Sequence, residues 1–141
     1  MHRKESFPQL IKLNFIDDGA DGCLTIMENR RQIPFPIKRV YYINKLKNRR
    51  AIRGMHAHKK LKQAIFCLQG SFDLFLDNGS QKRRIKMRKS HEGVYLAPRL
   101  WHVMRHFSED CVILVVASDF YEESDYIRDY NEFKKYLRKR V

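Results

Sequence analysis

Two histidines that lie two positions apart, His56 and His58, are the residues of this sequence best suited to chemistry. They fall in a stretch predicted to be a strand, and side chains at i and i+2 of a strand project from the same face. Both imidazoles are therefore expected to point into one enclosed space, while Met55 and Ala57 point away. Such a pair predicts either a metal site or an acid/base site.

The elements that must position this pair are predicted to be short strands. The most apolar run, from Cys111 to Ala117, is the best candidate for a central strand. Asn78-Gly79 between two β-type runs predicts a hairpin. About ten such strands, with turn residues between them, indicate a β-sandwich or barrel closed over an interior.

Only the C-terminal segment has a helical pattern. Tyr126, Tyr130, Phe133 and Leu137 recur at i, i+4, i+7 and i+11, and Ser124 is available as an N-cap. We expect this apolar stripe to dock a short helix onto the sheet.

The bulk composition predicts one domain spanning residues 1–141, with 43% hydrophobic residues to form a core. No apolar run approaches the roughly 20 residues that a membrane-spanning helix needs. Cys23, Cys67 and Cys111 are far apart and flanked by apolar residues, so they are expected to be buried free thiols. These features predict a cytoplasmic protein with no membrane partner.

The net charge of +13 favours either nucleic-acid binding or a basic surface that suits an anionic substrate. The sequence contains no zinc-finger spacing, no helix-turn-helix pattern and no RNP-like aromatic segment. We therefore expect no nucleic-acid partner, and we expect most of these charges to form a solvated surface.

The segment from Gly54 to Gly70 resembles the first conserved motif of the cupin superfamily, a His-x-His pair followed by an acidic residue and a closing glycine. A later segment, with Gly93, Pro98 and His102, resembles the second cupin motif, whose histidine completes the metal site in many members. The acidic position of the first motif is occupied here by Gln63. A neutral amide is a poor ligand for a divalent ion because it lacks the charge that offsets dehydration. Three histidines could still hold zinc, but Gln63 favours a metal-free pocket.

A closer resemblance covers nearly the whole chain. Residues 34–42, 53–60, 117–121 and 124–128 are similar to the sugar-nucleotide 3,4-ketoisomerases. The resemblance implies an all-β fold, the RmlC-like cupin (a double-stranded β-helix or jelly-roll barrel), with a short C-terminal helix. It implies an isomerase that acts on dTDP-4-keto-6-deoxy-D-glucose and supplies a deoxyamino sugar for bacterial surface glycans such as lipopolysaccharide or S-layer glycan. It further implies that no metal or other cofactor is needed, and that the protein is a homodimer with exchanged N-terminal strands.

Moving a ketone from C4 to C3 requires loss of the C3 proton, an enediol(ate), and delivery of a proton to C4. This chemistry calls for groups that titrate near neutrality and a donor for the developing oxyanion. By resemblance, His56 and His58 are the catalytic acid/base pair, with the division of labour between them open. The expected substrate contacts are Tyr41, Arg53, Arg39, His102 and Trp101.

Two alternatives share the fold. A dTDP-sugar 3,5-epimerase-like enzyme is disfavoured because that family's usual His–Asp arrangement is not evident in the sequence, and because the double-histidine motif fits the ketoisomerases better. A metal-binding cupin, such as a dioxygenase, would require a bound iron.

Overall fold

The chain is described by a computed structural model over residues 6–139. The two ends of the predicted domain, residues 1–5 and 140–141, lie outside the described residues. Within 6–139 there are twelve strands and one α-helix: β1 (Leu10–Lys12), β2 (Asn14–Asp17), β3 (Cys23–Ile26), β4 (Arg39–Ile43), β5 (Arg53–His58), β6 (Gln63–Gln69), β7 (Phe72–Asp77), β8 (Lys82–Met87), β9 (Glu92–Leu96), β10 (Trp101–Arg105), β11 (Val112–Ala117), β12 (Tyr126–Ile127) and α1 (Tyr130–Leu137).

Two five-stranded antiparallel sheets form the body of the protein. Their strand orders are β1-β9-β6-β11-β4 and β12-β5-β10-β7-β8. Alternate side chains of each strand face the space between the sheets, where Ile65 of β6, Leu74 of β7 and Val115 of β11 belong to one buried cluster. The prediction of an all-β double sheet with a C-terminal helix is confirmed.

Local sequence features account for two of these pairings. Asn78-Gly79 makes the predicted hairpin between β7 and β8, with Gly79 at φ +95° and the Asn78 side chain accepting the Gln81 amide. The apolar run beginning at Cys111 supplies β11, which lies between β6 and β4 as expected of a central strand.

The helix begins one turn later than predicted. It starts at Tyr130, and its N-cap is Asp129, whose side chain accepts the Glu132 amide, instead of Ser124. Tyr126 belongs to the two-residue strand β12, which pairs with β5. A strand this short carries no alternation of its own, so the helical spacing of the aromatic residues extended the predicted helix too far. No helix in the described part of the chain is long and apolar enough to cross a membrane.

The hairpin formed by β2 and β3 pairs with neither large sheet. Its apolar side chains, including Phe15, Ile16 and Leu24, are exposed. Cys23 at the start of β3 is exposed as well, so the prediction that it is buried was wrong, whereas Cys67 and Cys111 are buried in the core. The flanking apolar residues of Cys23 belong to the exposed hairpin and not to the core.

Candidate active site

A distortion in β5 brings histidines from two strands together. Gly54 and Met55 have positive φ angles of 78° and 57°, and the pairing of β5 with β10 shifts register between His102 and Val103. A Cβ atom at position 54 would lie 2.8 Å from the carbonyl oxygen of His102. Only glycine lets the backbone of β5 come this close to β10. The shifted register that results places His56 opposite His102.

Three imidazoles form one cluster facing the interior. The ring centroids are 5.0 Å apart for His56 and His58, 4.5 Å for His56 and His102, and 6.0 Å for His58 and His102. His58 and His102 are almost fully buried, and His56 is half-buried. His56 and His58 share a strand face as predicted, and Ala57 between them is buried on the other side of the sheet.

Each ring has its Nδ1 against an oxygen that can only accept a hydrogen bond. These acceptors are the Gly54 carbonyl for His56 (3.0 Å), the Asp125 carboxylate for His58 (3.2 Å) and the Leu100 carbonyl for His102 (3.3 Å). Nδ1 therefore carries the proton in the neutral rings, which leaves each Nε2 with a free lone pair. Nε2 of His58 is buried and has no hydrogen-bond partner among the described residues.

Burial keeps this cluster uncharged at neutral pH. The pKa of His58 is lowered to about 4, mainly by loss of solvation and then by the neighbouring His56, and the Asp125 carboxylate offsets part of this effect. Desolvation likewise lowers the pKa of His56 and brings the pKa of His102 well below its usual value. The three lone pairs are thus available to accept protons at pH 7.

Asp125 is a site residue that the sequence analysis missed. Its carboxylate accepts the backbone N–H groups of Lys60 (2.8 Å) and Leu61 (3.1 Å) in addition to His58. These bonds hold the carboxylate behind the imidazole, in a His–Asp pair that the sequence analysis did not identify. Asp125 lies in one of the segments that carry the family resemblance. Because a helix was predicted to begin at this point, the contact of Asp125 with His58 of β5 was not expected.

Tyr126 is the second residue that was missed. It is the register partner of His58 in the β12–β5 pair. Its ring centroid lies 4.9 Å from that of His56 and 4.4 Å from that of His58. The aromatic ring therefore covers the histidine pair, a position that the helical assignment could not reveal.

A cavity of about 520 Å³ opens in front of His56 and is lined by Tyr41, Arg39 and Arg53, as well as by Arg128. Burial raises the pKa of the Tyr41 phenol, which keeps its proton at neutral pH. The Arg39 guanidinium lies 5.2 Å from the centroid of the Tyr41 ring, and Arg53 is exposed at the rim. The structure thus brings these three predicted contacts to the same cavity as His56.

Trp101 does not join them. Its side chain lies on the outer face of the second sheet, where its ring is 5.6 Å from Phe133 and 5.4 Å from Tyr130 of α1. Successive residues of a strand point to opposite faces, so His102 faces inward and Trp101 faces outward. The prediction that Trp101 contacts the substrate is therefore corrected to a role in packing the helix.

The cluster also has the elements of a metal site. One ring nitrogen from each of His56, His58 and His102 lies within 4.8 Å of the others. Gln63 offers no negative charge as a fourth ligand, and its Nε2 donates instead to the Tyr41 hydroxyl at 3.0 Å. The donor set is three neutral imidazoles, which suits zinc better than a hard divalent ion.

Comparison with known proteins gives a consistent result. Residues 6–138 match the family model described as "FdtA: WxcM-like, C-terminal". The chain is 49% identical over 118 residues, 84% of each protein, to a TDP-4-oxo-6-deoxy-alpha-D-glucose-3,4-oxoisomerase of Aneurinibacillus thermoaerophilus. It resembles the crystal structure of QdtA, a sugar 3,4-ketoisomerase from Thermoanaerobacterium thermosaccharolyticum in complex with TDP (TM-score 0.87, 42% identity, covering 92% of this chain and 93% of that one). A histidine-to-asparagine mutant of QdtA in complex with TDP-4-keto-6-deoxyglucose gives a TM-score of 0.88 at 42% identity, covering 93% and 94% of the two chains.

Proposed function

Because this chain belongs to the FdtA family of sugar-nucleotide 3,4-ketoisomerases, we propose that His58 and His56 carry its acid/base chemistry. The chain is an isomerase of a dTDP-linked sugar. The relatives act on, or bind, TDP-4-keto-6-deoxyglucose, and this sugar nucleotide is the substrate that we assign to it. The product supplies a deoxyamino sugar for surface glycans.

The observation that carries this assignment is the state of His58. Its Nδ1 is committed to the Asp125 carboxylate, while its Nε2 is buried without a hydrogen-bond partner among residues 6–139. A buried polar atom without a partner is costly and is retained where a ligand completes it. A neutral Nε2 backed by a carboxylate is suited to accept a proton, because the carboxylate stabilises the imidazolium that forms.

The reaction then proceeds by proton transfers that balance. His58 Nε2 takes the proton of C3, and the bonding electrons form the C3–C4 double bond of an enediolate, with the negative charge on the C4 oxygen. His56 moves the hydroxyl proton from the C3 oxygen to the C4 oxygen. C4 then gains a proton from an imidazolium, and the C3 carbonyl forms. Delivery to one ring face gives the gluco product, and delivery to the other gives the galacto product.

The cavity that His56 lines suits the anionic part of the substrate. Arg39 and Arg53 contribute guanidinium groups to its lining, and guanidinium groups bind phosphate oxygens in bidentate fashion. The guanidinium of Arg128, which also lines the cavity, is already paired with the Glu123 carboxylate. Tyr41, protonated at neutral pH, is the hydrogen-bond donor that we assign to the oxyanion of the enediolate. His102 is assigned to the floor of the pocket, because it is fully enclosed behind His56.

The expectation of a homodimer finds support in the exposed apolar surface. Val40 and Tyr42 on the edge strand β4 are 58% and 67% exposed, and the β2–β3 hairpin exposes Phe15, Ile16 and Leu24. An isolated two-stranded hairpin is marginally stable in water, and large exposed apolar patches mark interaction sites. A second copy of this chain, with exchanged N-terminal strands, is the partner that we assign to this surface.

The experiment is incubation of the protein with dTDP-4-keto-6-deoxyglucose in D₂O, followed by ¹H NMR. A 3-keto sugar that carries deuterium at C4 is the expected product. In a parallel reaction in H₂O the product carries a proton at C4, and the coupling of this proton to H5 distinguishes the gluco from the galacto configuration. An unchanged 4-keto sugar, with protein shown to be folded, would reject the proposed function.

A further inference from the structure

We propose that Gln63 is a positioning residue that orients the hydroxyl of Tyr41, so that this hydroxyl donates its proton to the substrate. The inference rests on the proposed function and assigns a role to a residue outside the histidine cluster. It arises from one hydrogen bond, from the burial of Gln63 and from the chemistry of the two groups.

Gln63 is held where it can act on Tyr41. It lies in β6, Tyr41 lies in β4, and β11 separates the two strands. Ala117 of β11 is the register partner of Gln63 on one side and of Arg39 on the other. Because the side chain of Ala117 is small, the longer amide can extend across β11 toward Tyr41. Gln63 is only 1% exposed, so its amide does not exchange this partner for water.

The direction of the hydrogen bond fixes where the Tyr41 proton points. Gln63 Nε2 donates to the Tyr41 hydroxyl at 3.0 Å, and an amide NH₂ group cannot accept a proton in return. The nearby Arg39 guanidinium is also only a donor. Among residues 6–139 no hydrogen bond is found in which Tyr41 is the donor. The phenolic proton is therefore left for a group in the cavity that Tyr41 shares with His56.

The burial of the Gln63 amide costs folding free energy, and this cost indicates that the amide has a function. Gln63 Oε1 is buried and has no hydrogen-bond partner among the described residues. A leucine or methionine would fill the same space without leaving a polar atom unpaired. The presence of a glutamine at position 63 is therefore explained by the hydrogen bond that its Nε2 donates to the Tyr41 hydroxyl. Burial raises the pKa of Tyr41 and the hydrogen bond from Gln63 opposes this rise, so the bond also makes the phenol a stronger donor.

A double-mutant cycle tests the inference. Gln63→Met removes the hydrogen bond at similar volume, Tyr41→Phe removes the hydroxyl, and the double variant completes the cycle. All assays contain EDTA. Tyr41→Phe is expected to lower kcat by about 100-fold, and Gln63→Met by about tenfold with little change in KM. In the Tyr41→Phe background, Gln63→Met should change kcat by less than about twofold.

Gln63→Glu tests the direction of the bond. A carboxylate accepts the Tyr41 proton and withdraws it from the substrate, so kcat is expected to fall below that of Gln63→Met. If Tyr41 instead donated to Gln63, the carboxylate would preserve the bond, and Gln63→Glu would keep near wild-type kcat. That result would overturn the proposal, as would equal losses from Gln63→Met in both backgrounds, which indicate a structural role only.

An independent measurement does not depend on turnover. In protein with ¹³C-labelled tyrosine, Gln63→Met should raise the pKa of Tyr41, because it removes a donor that stabilises the phenolate. An unchanged Tyr41 titration would contradict the proposed contact. If the wild-type protein failed to isomerise the sugar, the proposed function would be rejected, while this titration would still report on Gln63 and Tyr41.

Discussion

The Asp125 carboxylate lies 3.2 Å from Nδ1 of His58, although 67 residues separate the two in the chain. Backbone amides of Lys60 and Leu61 hold the same carboxylate. The pair therefore fixes one tautomer of His58 and directs its Nε2 lone pair into the cluster. Proton abstraction by His58 depends on this contact.

Asp125→Asn is expected to lower kcat by about 100-fold or more. The asparagine amide can present its NH₂ group to Nδ1, which would favour the other tautomer and leave Nε2 protonated; the loss of the carboxylate charge also destabilises the imidazolium. Asp129→Asn is the matched control, since asparagine caps a helix as well as aspartate does. Steady-state kinetics on both variants would check this, and equal activities would contradict the role of Asp125.

The activity of the free enzyme should persist to an unusually low pH. The base must be neutral, and burial lowers the pKa of His58 to about 4. His58 therefore stays mainly neutral until the pH approaches 4, and kcat/KM should decline only in that range, where the imidazolium forms. A decline centred near 6.5, with the fold intact by circular dichroism, would indicate an ordinary solvated histidine and contradict this assignment.

Gly54→Ala is expected to disrupt the cluster without touching a catalytic side chain. The new Cβ would lie 2.8 Å from the His102 carbonyl oxygen, at a backbone φ of +78°. The backbone conformation alone costs about 1–3 kcal/mol, and the clash would separate β5 from β10. We expect lower thermal stability and a large loss of kcat. Gly19→Ala is the control, because it has the same sign of φ but no atom within 4 Å.

Removal of metal should leave the reaction unchanged. Gln63 contributes no charge to the three histidines, and its Nε2 is committed to Tyr41. Dialysis against a chelator is therefore expected to leave kcat within about twofold of the untreated enzyme. Removal of a catalytic metal would lower kcat far more, because such a metal stabilises the transition state by several kcal/mol. Loss of activity that zinc or iron restores would show that the interpretation of Gln63 is wrong.

The sequence predicted correctly those features that are determined by residues close together in the chain. The common face of His56 and His58 follows from strand periodicity, and the β7–β8 hairpin follows from Asn78-Gly79. Asp125 could not be found in this way, because its contact with His58 forms only when β12 pairs with β5. Trp101 could have been placed correctly, since strand alternation puts it on the face opposite His102.

The division of labour between His58 and His56 is the central claim, and deuterium exchange tests it most directly. Each of His58→Asn and His56→Asn is incubated with dTDP-4-keto-6-deoxyglucose in D₂O and followed by ¹H NMR. We predict that His58→Asn neither exchanges the C3 proton nor forms the 3-keto sugar, whereas His56→Asn still exchanges C3 but forms product slowly. Exchange at C3 by His58→Asn at the wild-type rate would contradict the account.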